Sequence, residues 1–212
     1  MTENAATETI ADAIEADLIY AVDTGEKLVN QTMPAGDMSR VLTGTYEHHR
    51  MRIRNGRPDR EKFVLDLNGF EFVDHPTAMT DFFDADELKT VYYPEIVKLV
   101  AERSGASRVE IFDHTLRSGD GQTRQEKQVR EPVKSAHNDY TVNSGPRRVR
   151  ELFPDEADEL LKKRFAIIQV WRAIRNPIQA DPLTICDSRS VATADFLTAE
   201  RRYPHRVGET YR

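Results

Sequence analysis

The sequence predicts an α+β domain that is mainly β, in which strands form a barrel or sandwich and helices lie between them. Three observations predict this class. Short apolar runs with strand-like alternation recur along the chain, turn signals separate several of them, and residues 165–174 are apolar on both faces. At 212 residues the chain fits one domain, which we place at residues 18–212 behind a flexible tail at residues 1–17.

The first strands are predicted near the N-terminus. Residues 18–22 are a short apolar run that ends at the turn sequence Asp23-Thr24-Gly25. The pair Asn55-Gly56 favours a tight turn. Residues 46–60 are therefore predicted to form a hairpin that leads into a strand over residues 63–67.

Helices are predicted mainly in the middle of the chain. Asp84 resembles a helix-capping residue, Pro94 suits a first helical turn, and Gly105 is a stop signal. A second helical region is predicted to start at residues 144–146 and to restart at residues 153–155.

Three further strands are predicted around these helices. Residues 108–116 alternate like a strand, whereas residues 117–131 are polar and are predicted to form a mobile loop. Residues 165–174 are the strongest strand signal, and their two apolar faces predict a central position covered on both sides. Residues 182–187 are predicted as another short strand.

Composition excludes several classes of function. The net charge of −6 gives no electrostatic footprint for nucleic acid. No apolar stretch approaches the length of a membrane span. The single cysteine, Cys186, allows no intramolecular disulfide, so a cytoplasmic protein is the expected setting.

The candidate metal ligands are His137 and Asp139. Residues two apart on an extended strand project to the same side, so this imidazole and this carboxylate can hold one ion. They would supply two ligands of a site with two histidines and one carboxylate, which is typical of iron(II) oxygenases. The competing interpretation is that His137 is a surface residue before a turn and Asp139 caps that turn.

Arg172 and Arg117 are candidates for binding the carboxylate of a cofactor. Arg172 lies in the predicted central strand, where its permanent charge needs an anionic partner. That partner is either an internal carboxylate or a ligand carboxylate, which Arg binds through two hydrogen bonds. Arg117 follows the strand predicted at residues 108–116 and can reach the same end of the predicted barrel, where the strand ends converge.

Blocks of sequence in order along the chain resemble a known family of enzymes. They are Gly69-Phe70-Glu71-Phe72-Val73-Asp74-His75-Pro76-Thr77, Tyr92-Tyr93-Pro94-Glu95, Phe112-Asp113-His114-Thr115-Leu116-Arg117, His137-Asn138-Asp139-Tyr140-Thr141, Ser144-Gly145-Pro146-Arg147-Arg148-Val149, Val170-Trp171-Arg172, Tyr203-Pro204 and Arg206-Val207-Gly208-Glu209-Thr210-Tyr211. The chain resembles the hydroxylase/desaturase family, which includes the hydroxylase component of cephalosporin 7-alpha-methoxylation and fungal meroterpenoid endoperoxygenases. The resemblance covers nearly everything after about residue 18.

The resemblance implies a double-stranded β-helix (a cupin-like jelly roll) with flanking helices. It implies iron(II) and 2-oxoglutarate as cofactors, and His137 and Asp139 carry the family's His-x-Asp metal pair. The implied reaction hydroxylates or desaturates a small-molecule metabolite while 2-oxoglutarate loses carbon dioxide. Members of the family continue beyond the Gly208–Tyr211 block into strands that supply the second histidine ligand and a basic residue for 2-oxoglutarate.

This difference in length predicts a domain that is incomplete at its C-terminus. His205 is the one later histidine in this sequence, and we include it as a candidate third ligand. Two alternatives to an active oxygenase remain open: a non-catalytic partner subunit of a methyltransferase or other tailoring enzyme, and an inactive truncated homologue. A homo-oligomer or a partner enzyme would be compatible with either.

Overall fold

The structure, a computed structural model, describes residues 12–32, 40–175, 178, 180–204 and 206–212. Its strands are β1 Ala13–Val22, β2 Leu28–Thr32, β3 Arg40–Thr43, β4 Thr45–Arg54, β5 Thr198–Tyr203 and β6 Arg206–Tyr211. Its helices are α1 Leu65–Asn68, α2 Ala85–Glu87, α3 Tyr93–Ser104, α4 Gly121–Lys127, α5 Ser144–Leu152 and α6 Ala157–Leu160. A π-helical turn at Leu88–Tyr92 joins α2 to α3, and 3₁₀ turns span Arg57–Lys62, Ser188–Ser190 and Thr193–Asp195.

The strands form two sheets, which residues 134–138 join to each other. One sheet is the antiparallel pair β1–β4, and the other has the order β3-β2-β5-β6. Residues 134–138 pair in parallel with β1, where the Ala136 amide donates to the Ile19 carbonyl at 2.9 Å. On their other side, Asn138 and Tyr211 of β6 exchange two antiparallel hydrogen bonds.

Gly44 makes the second connection between the sheets. It lies between β3 and β4, has φ of +105°, and turns one continuous segment from pairing with β2 to pairing with β1. A Cβ atom at this position would lie 2.2 Å from Cδ2 of Leu28. Residues 134–138 and Gly44 therefore connect the two sheets at two places, and we call the connected strands the strand ring.

The helices follow the capping signals in the sequence. Asp84 accepts hydrogen bonds from the amides of Asp86 and Glu87, as a capping residue does. Pro94 lies in the first turn of α3, and Gly105 ends that helix in the left-handed conformation. These predictions are confirmed. In the part of the chain that the structure describes, no helix is long and apolar enough to cross a membrane.

The buried apolar side chains are few among the described residues. They are Leu28, Val29, Leu88, Ile96, Ala157 and Ala199. Leu28 and Ala199 are direct neighbours on β2 and β5, so the ring has its own small core. Ile96 and Leu88 belong to the helical run over residues 85–104. The α+β class is confirmed, but helices occupy as much of the described chain as strands, so "mainly β" overstates the strand content.

Several predicted strands have a different structure. Residues 46–54 pair with β1 rather than with a following strand, and residues 65–68 form the helical turn α1. Residues 108–116 and 182–187 contain no regular strand. The predicted loop at residues 117–131 contains the helix α4, which Asp120 caps by accepting from the Thr123 amide.

Residues 165–174 are the largest departure from the prediction. They run without regular strand pairing to any described residue, and Phe165, Val170 and Trp171 are exposed. The predicted central, covered position is therefore wrong for the described chain, because no paired strand or helix covers both of its faces. The predicted tail also changes: residues 1–11 lie outside the described residues, whereas residues 13–17 form the first half of β1.

Candidate metal centre beside the strand ring

His137 and Asp139 lie where residues 134–138 pair with β6. The amide of Asn138 donates to the Tyr211 carbonyl at 3.0 Å, and the Tyr211 amide donates back at 2.9 Å. Because Asn138 is fixed in this bridge, its two neighbours in sequence project to the opposite side together. Nε2 of His137 lies 3.5 Å from Oδ1 of Asp139. The two side chains are 23% and 38% exposed, so a ligand from solvent can reach both.

A backbone carbonyl sets the tautomer of His137. Its Nδ1 lies 2.8 Å from the carbonyl oxygen of Ser135, which can only accept a hydrogen bond. Nδ1 therefore carries the proton in the neutral ring, and Nε2 presents its lone pair on the side of Asp139. This is the arrangement in which histidine binds a metal through one nitrogen while the other donates to the protein.

Gln169 holds the other partner of the pair. Its side-chain amide donates to Oδ2 of Asp139 at 2.6 Å, which leaves Oδ1 facing His137. Sequence reasoning missed this residue. The available signal was that Gln169 is the one polar side chain between the apolar residues 165–168 and 170–171.

The strand register places two arginines on the same face as the metal pair. We call it the His137 face: it is defined by His137, Asp139 and the side chains that point to the same side of the paired strands. Tyr211 lies opposite Asn138, so the adjacent Arg212 projects to the His137 face. Arg201 lies opposite Gly208 and has the same orientation.

Burial and charge both act on Arg212. Burial lowers the pKa of its guanidinium, and the positive charge of Arg201 lowers this pKa further. The phenol of Tyr46 and the carboxylate of Asp139 oppose the shift. An arginine keeps its charge in a protein, so these effects show a guanidinium that is partly withdrawn from water and lies within electrostatic range of the metal pair.

The other arginines singled out from the sequence are held elsewhere. Arg172 donates to the backbone carbonyl of His75, lies 3.3 Å from that residue's Nδ1, and stacks over Tyr92 with 5.8 Å between the guanidinium carbon and the ring centre. Arg117 donates to the carbonyl of Glu131 at 2.8 Å, across the base of the 117–131 segment. Neither observation tests their predicted binding of a cofactor carboxylate.

The described residues supply two metal ligands and not a third. Within residues 12–32, 40–175, 178, 180–204 and 206–212, no group of three His, Cys, Asp or Glu side chains is placed to hold one ion. His205, the candidate third ligand, lies outside the described residues. The donor types and the tautomer of the pair fit a divalent transition metal that also binds ligands from elsewhere.

Comparisons with known proteins agree on one group of oxidoreductases. The family model "Oxidoreductase/YMDC permease-like domain" matches residues 18–212. "Oxidoreductase AN1597" from Emericella nidulans is 36% identical over 178 residues, which are 80% of this chain and 60% of that protein. "Hydroxylase/desaturase CTB9" from Cercospora beticola is 32% identical over 178 residues, which are 78% of this chain and 55% of that protein.

A solved structure shares the fold. The iron and alpha-ketoglutarate-dependent endoperoxidase NvfI superposes with a TM-score of 0.79 and 22% identity, over 94% of this chain and 74% of that one. At this identity the likeness concerns the fold alone. The chain spans 55–60% of the length of the two curated relatives described above.

Proposed function

We propose that this chain, which belongs to the oxidoreductase/YMDC permease-like domain family, is the metal-binding part of an iron(II)- and 2-oxoglutarate-dependent oxygenase. The proposed substrate is a small-molecule metabolite, and the proposed outcome is hydroxylation or desaturation. The one observation that carries the proposal is the His137–Asp139 pair, in which a backbone carbonyl fixes the tautomer that leaves Nε2 free. The relatives named hydroxylase/desaturase and the fold shared with an iron and alpha-ketoglutarate-dependent enzyme support it.

In this proposal each residue near the metal has a defined task. His137 and Asp139 would hold iron(II), with Nε2 of the imidazole available because the Ser135 carbonyl accepts a hydrogen bond from Nδ1. Gln169 holds the second carboxylate oxygen so that Asp139 cannot rotate away. The bound iron, with 2-oxoglutarate and dioxygen, would supply the oxidant that removes hydrogen from the substrate.

The same proposal covers the third metal ligand, the core fold, the cellular setting and the roles of two arginines. The third ligand lies outside the described residues, where His205 is the candidate within this chain. The proposal assigns the strand ring to a double-stranded β-helix core and the protein to the cytoplasm. The finer predictions for Arg172 and Arg117, that they bind the carboxylate of 2-oxoglutarate, remain part of the proposal.

Equilibrium binding of iron(II) without oxygen tests the proposal directly. The full chain is expected to bind one iron(II), and His137→Ala or Asp139→Asn is expected to weaken binding by at least about a hundredfold, because each removes one of few ligands. His114→Ala is the matched control, since His114 is bonded to the Tyr93 hydroxyl at 2.5 Å and is not part of the pair. Iron binding that survives in His137→Ala would sink the proposal.

Turnover is the second measurement. Release of succinate that requires both iron and His137 is expected from an oxygenase, whereas a non-catalytic partner subunit would bind iron weakly or release no succinate. Iron-dependent release of succinate therefore distinguishes the two functions even before a substrate is identified.

A further inference from the structure

We propose that Arg201 and Arg212 form a binding site for a small organic carboxylate on the His137 face of the strand ring. The site is distinct from the metal ligands, and it is assembled from neighbouring strands β5 and β6. The proposal deepens the proposed function, on which it rests for its role, although the site itself can be measured without a metal.

The register of the strands brings the two arginines to one face. Arg201 lies opposite Gly208, and Arg212 continues β6 beyond the pair formed by Thr198 and Tyr211. The backbones of Arg212 and Leu197 exchange hydrogen bonds of 2.8 and 3.0 Å, so the end of β6 is fixed. Gly208 adds no side chain beside Arg201, and a Cβ built there would meet only the Arg201 carbonyl oxygen, at 3.8 Å.

Both arginines have a donor without a partner. Nε of Arg201 and Nε of Arg212 are buried and have no hydrogen-bond acceptor among the described residues. A buried guanidinium donor that lacks an acceptor costs free energy, because it has lost its hydrogen bonds to water. A ligand that accepts from these nitrogens would recover that free energy.

The neighbouring groups do not satisfy this positive charge. The guanidinium of Arg201 lies 5.5 Å from the ring centre of Tyr203, which orients it but accepts no strong hydrogen bond. Asp139 is the carboxylate within range of Arg212, and its two oxygens are already turned to Gln169 and to His137. Tyr46 is a phenol whose pKa is raised by burial, so it is neutral at ordinary pH.

The contrast with Arg202 shows that the arrangement is specific to one face. Arg202 is the next residue on β5 and points to the opposite side, where it donates to the carboxylate of Glu200. Two adjacent arginines on one strand therefore have opposite environments. Arg202, on the outer side, has the carboxylate of Glu200 as its partner, whereas Nε of Arg201, on the His137 face, has no acceptor among the described residues.

A carboxylate fits the site better than a neutral ligand. Arginine binds planar carboxylates through two parallel hydrogen bonds, and each bond to a charged group is about twice as strong as a neutral one. Two sources have this chemistry: the 2-oxoglutarate co-substrate and a carboxylate on the molecule that is oxidised. The shared prediction is binding of the carboxylate group, and the experiment separates the sources.

The experiment is calorimetric titration of the full chain with succinate, in the presence of a chelator that carries no carboxylate, so that neither metal nor chelator contributes. Succinamide, the neutral diamide of similar shape, is the control ligand. The chain is expected to bind succinate and not succinamide. Arg201→Gln and Arg212→Gln are each expected to weaken succinate binding by about tenfold or more, whereas Arg202→Gln should change it by less than about twofold. Arg201→Lys, which keeps the charge, should restore part of the affinity.

Repeating the titration with 2-oxoglutarate on the iron-loaded chain separates the sources. Weaker 2-oxoglutarate binding in the two variants assigns the site to the co-substrate. Unchanged 2-oxoglutarate binding, with succinate binding still reduced in the metal-free variants, assigns it to the substrate. Absence of succinate binding by the unmodified chain, equal binding of succinamide, or an equal loss in Arg202→Gln would overturn the proposal. Loss of iron binding with succinate binding retained would instead count against the oxygenase function alone.

Discussion

In the strand ring and in residues 165–174, apolar content and strand pairing are related in opposite ways. In the ring, β1 and β4 pair over their whole length although β4 is rich in arginine and histidine, and most of its side chains are exposed. Residues 165–174 are far more apolar, but they pair with no described strand and expose Trp171 to 49%. The comparison shows that a pairing partner, rather than apolar composition, decides which segment becomes a strand.

One residue connects the two regions. Gln169 belongs to residues 165–174, yet its amide reaches Asp139 beside the ring. The irregular segment is therefore positioned by a polar contact at the candidate metal centre and by the bonds of Arg172 to His75, instead of by a backbone ladder. The following predictions separate what the ladder stabilises from what these side-chain contacts stabilise.

The largest expected effect comes from opening the ring at Gly44. Gly44→Val places a branched side chain at φ +105°, with its Cβ 2.2 Å from the buried Leu28. Because Leu28 is packed and the backbone conformation suits only glycine, we expect the free energy of unfolding to fall by about 3 kcal/mol or more. Urea denaturation followed by circular dichroism measures the change.

Gly25→Val is the matched control for this prediction. Gly25 also has positive φ, at +75°, but a Cβ there meets no atom within 4 Å. This variant should show only the cost of the backbone conformation, about 1–2 kcal/mol. An equal loss of stability in the two variants would mean that the bend at Gly44 does not depend on close packing against Leu28.

A third region, the turns around residues 64–69 and 187–190, has a buried anchor at Asn68. This side chain is 2% exposed; its oxygen accepts from the Val64 amide and its nitrogen donates to Asp187, both at 2.9 Å. Asn68→Ala leaves the Val64 amide without its acceptor and removes one of the donors to Asp187, which keeps its bonds to Arg189. We therefore expect a loss of about 2 kcal/mol. Ser188→Ala, which removes an exposed bond to the Leu67 carbonyl, should cost less than half as much. A neutral Asn68→Ala would show that this region is held by something other than its polar contacts.

The sequence was sufficient to predict elements whose signals are local. The cap at Asp84, the stop at Gly105 and the strand at residues 18–22 each depend on a few neighbouring residues, and all are present. The spacing of His137 and Asp139 is equally local, because two residues apart on an extended segment share a side whatever the rest of the fold does.

Long-range pairing was beyond the reach of sequence patterns. Residues 165–174 have the composition of a central strand, but a central position requires neighbours on both sides, and no local pattern specifies them. The same limit hid Gln169 and Arg212, whose importance depends on residues 30 or more positions away in the chain or on strand register. A strand's partner is a property of the whole chain, so such residues emerge only from the structure.

The contact between the two regions predicts a smaller effect, on metal affinity. Gln169→Ala removes the hydrogen bond to Oδ2 of Asp139 and lets the carboxylate rotate, so iron(II) binding should weaken by about tenfold. Gln122→Ala is the control, because Gln122 makes a comparable bond to Glu126 on the surface of α4. Unfolding midpoints should be unchanged in both variants. An unchanged iron affinity in Gln169→Ala would mean that Asp139 is oriented by its backbone alone.

The smallest expected effect is at Trp171, although tryptophan substitutions in a packed strand are among the most destabilising. Because its side chain is 49% exposed and no described strand covers it, Trp171→Gln should change the free energy of unfolding by less than about 1 kcal/mol. Ile96→Ala, at a position that is 7% exposed in α3, should cost about 2–4 kcal/mol.

Trp171 is the one tryptophan in the sequence, so its fluorescence reports the exposure of this side chain without a substitution. Emission that iodide quenches strongly agrees with an exposed segment, whereas protection from iodide together with a loss above about 2 kcal/mol would mean that residues 165–174 are packed after all. That outcome would remove the contrast between the two regions, since residues 165–174 would then be packed as their apolar composition predicts.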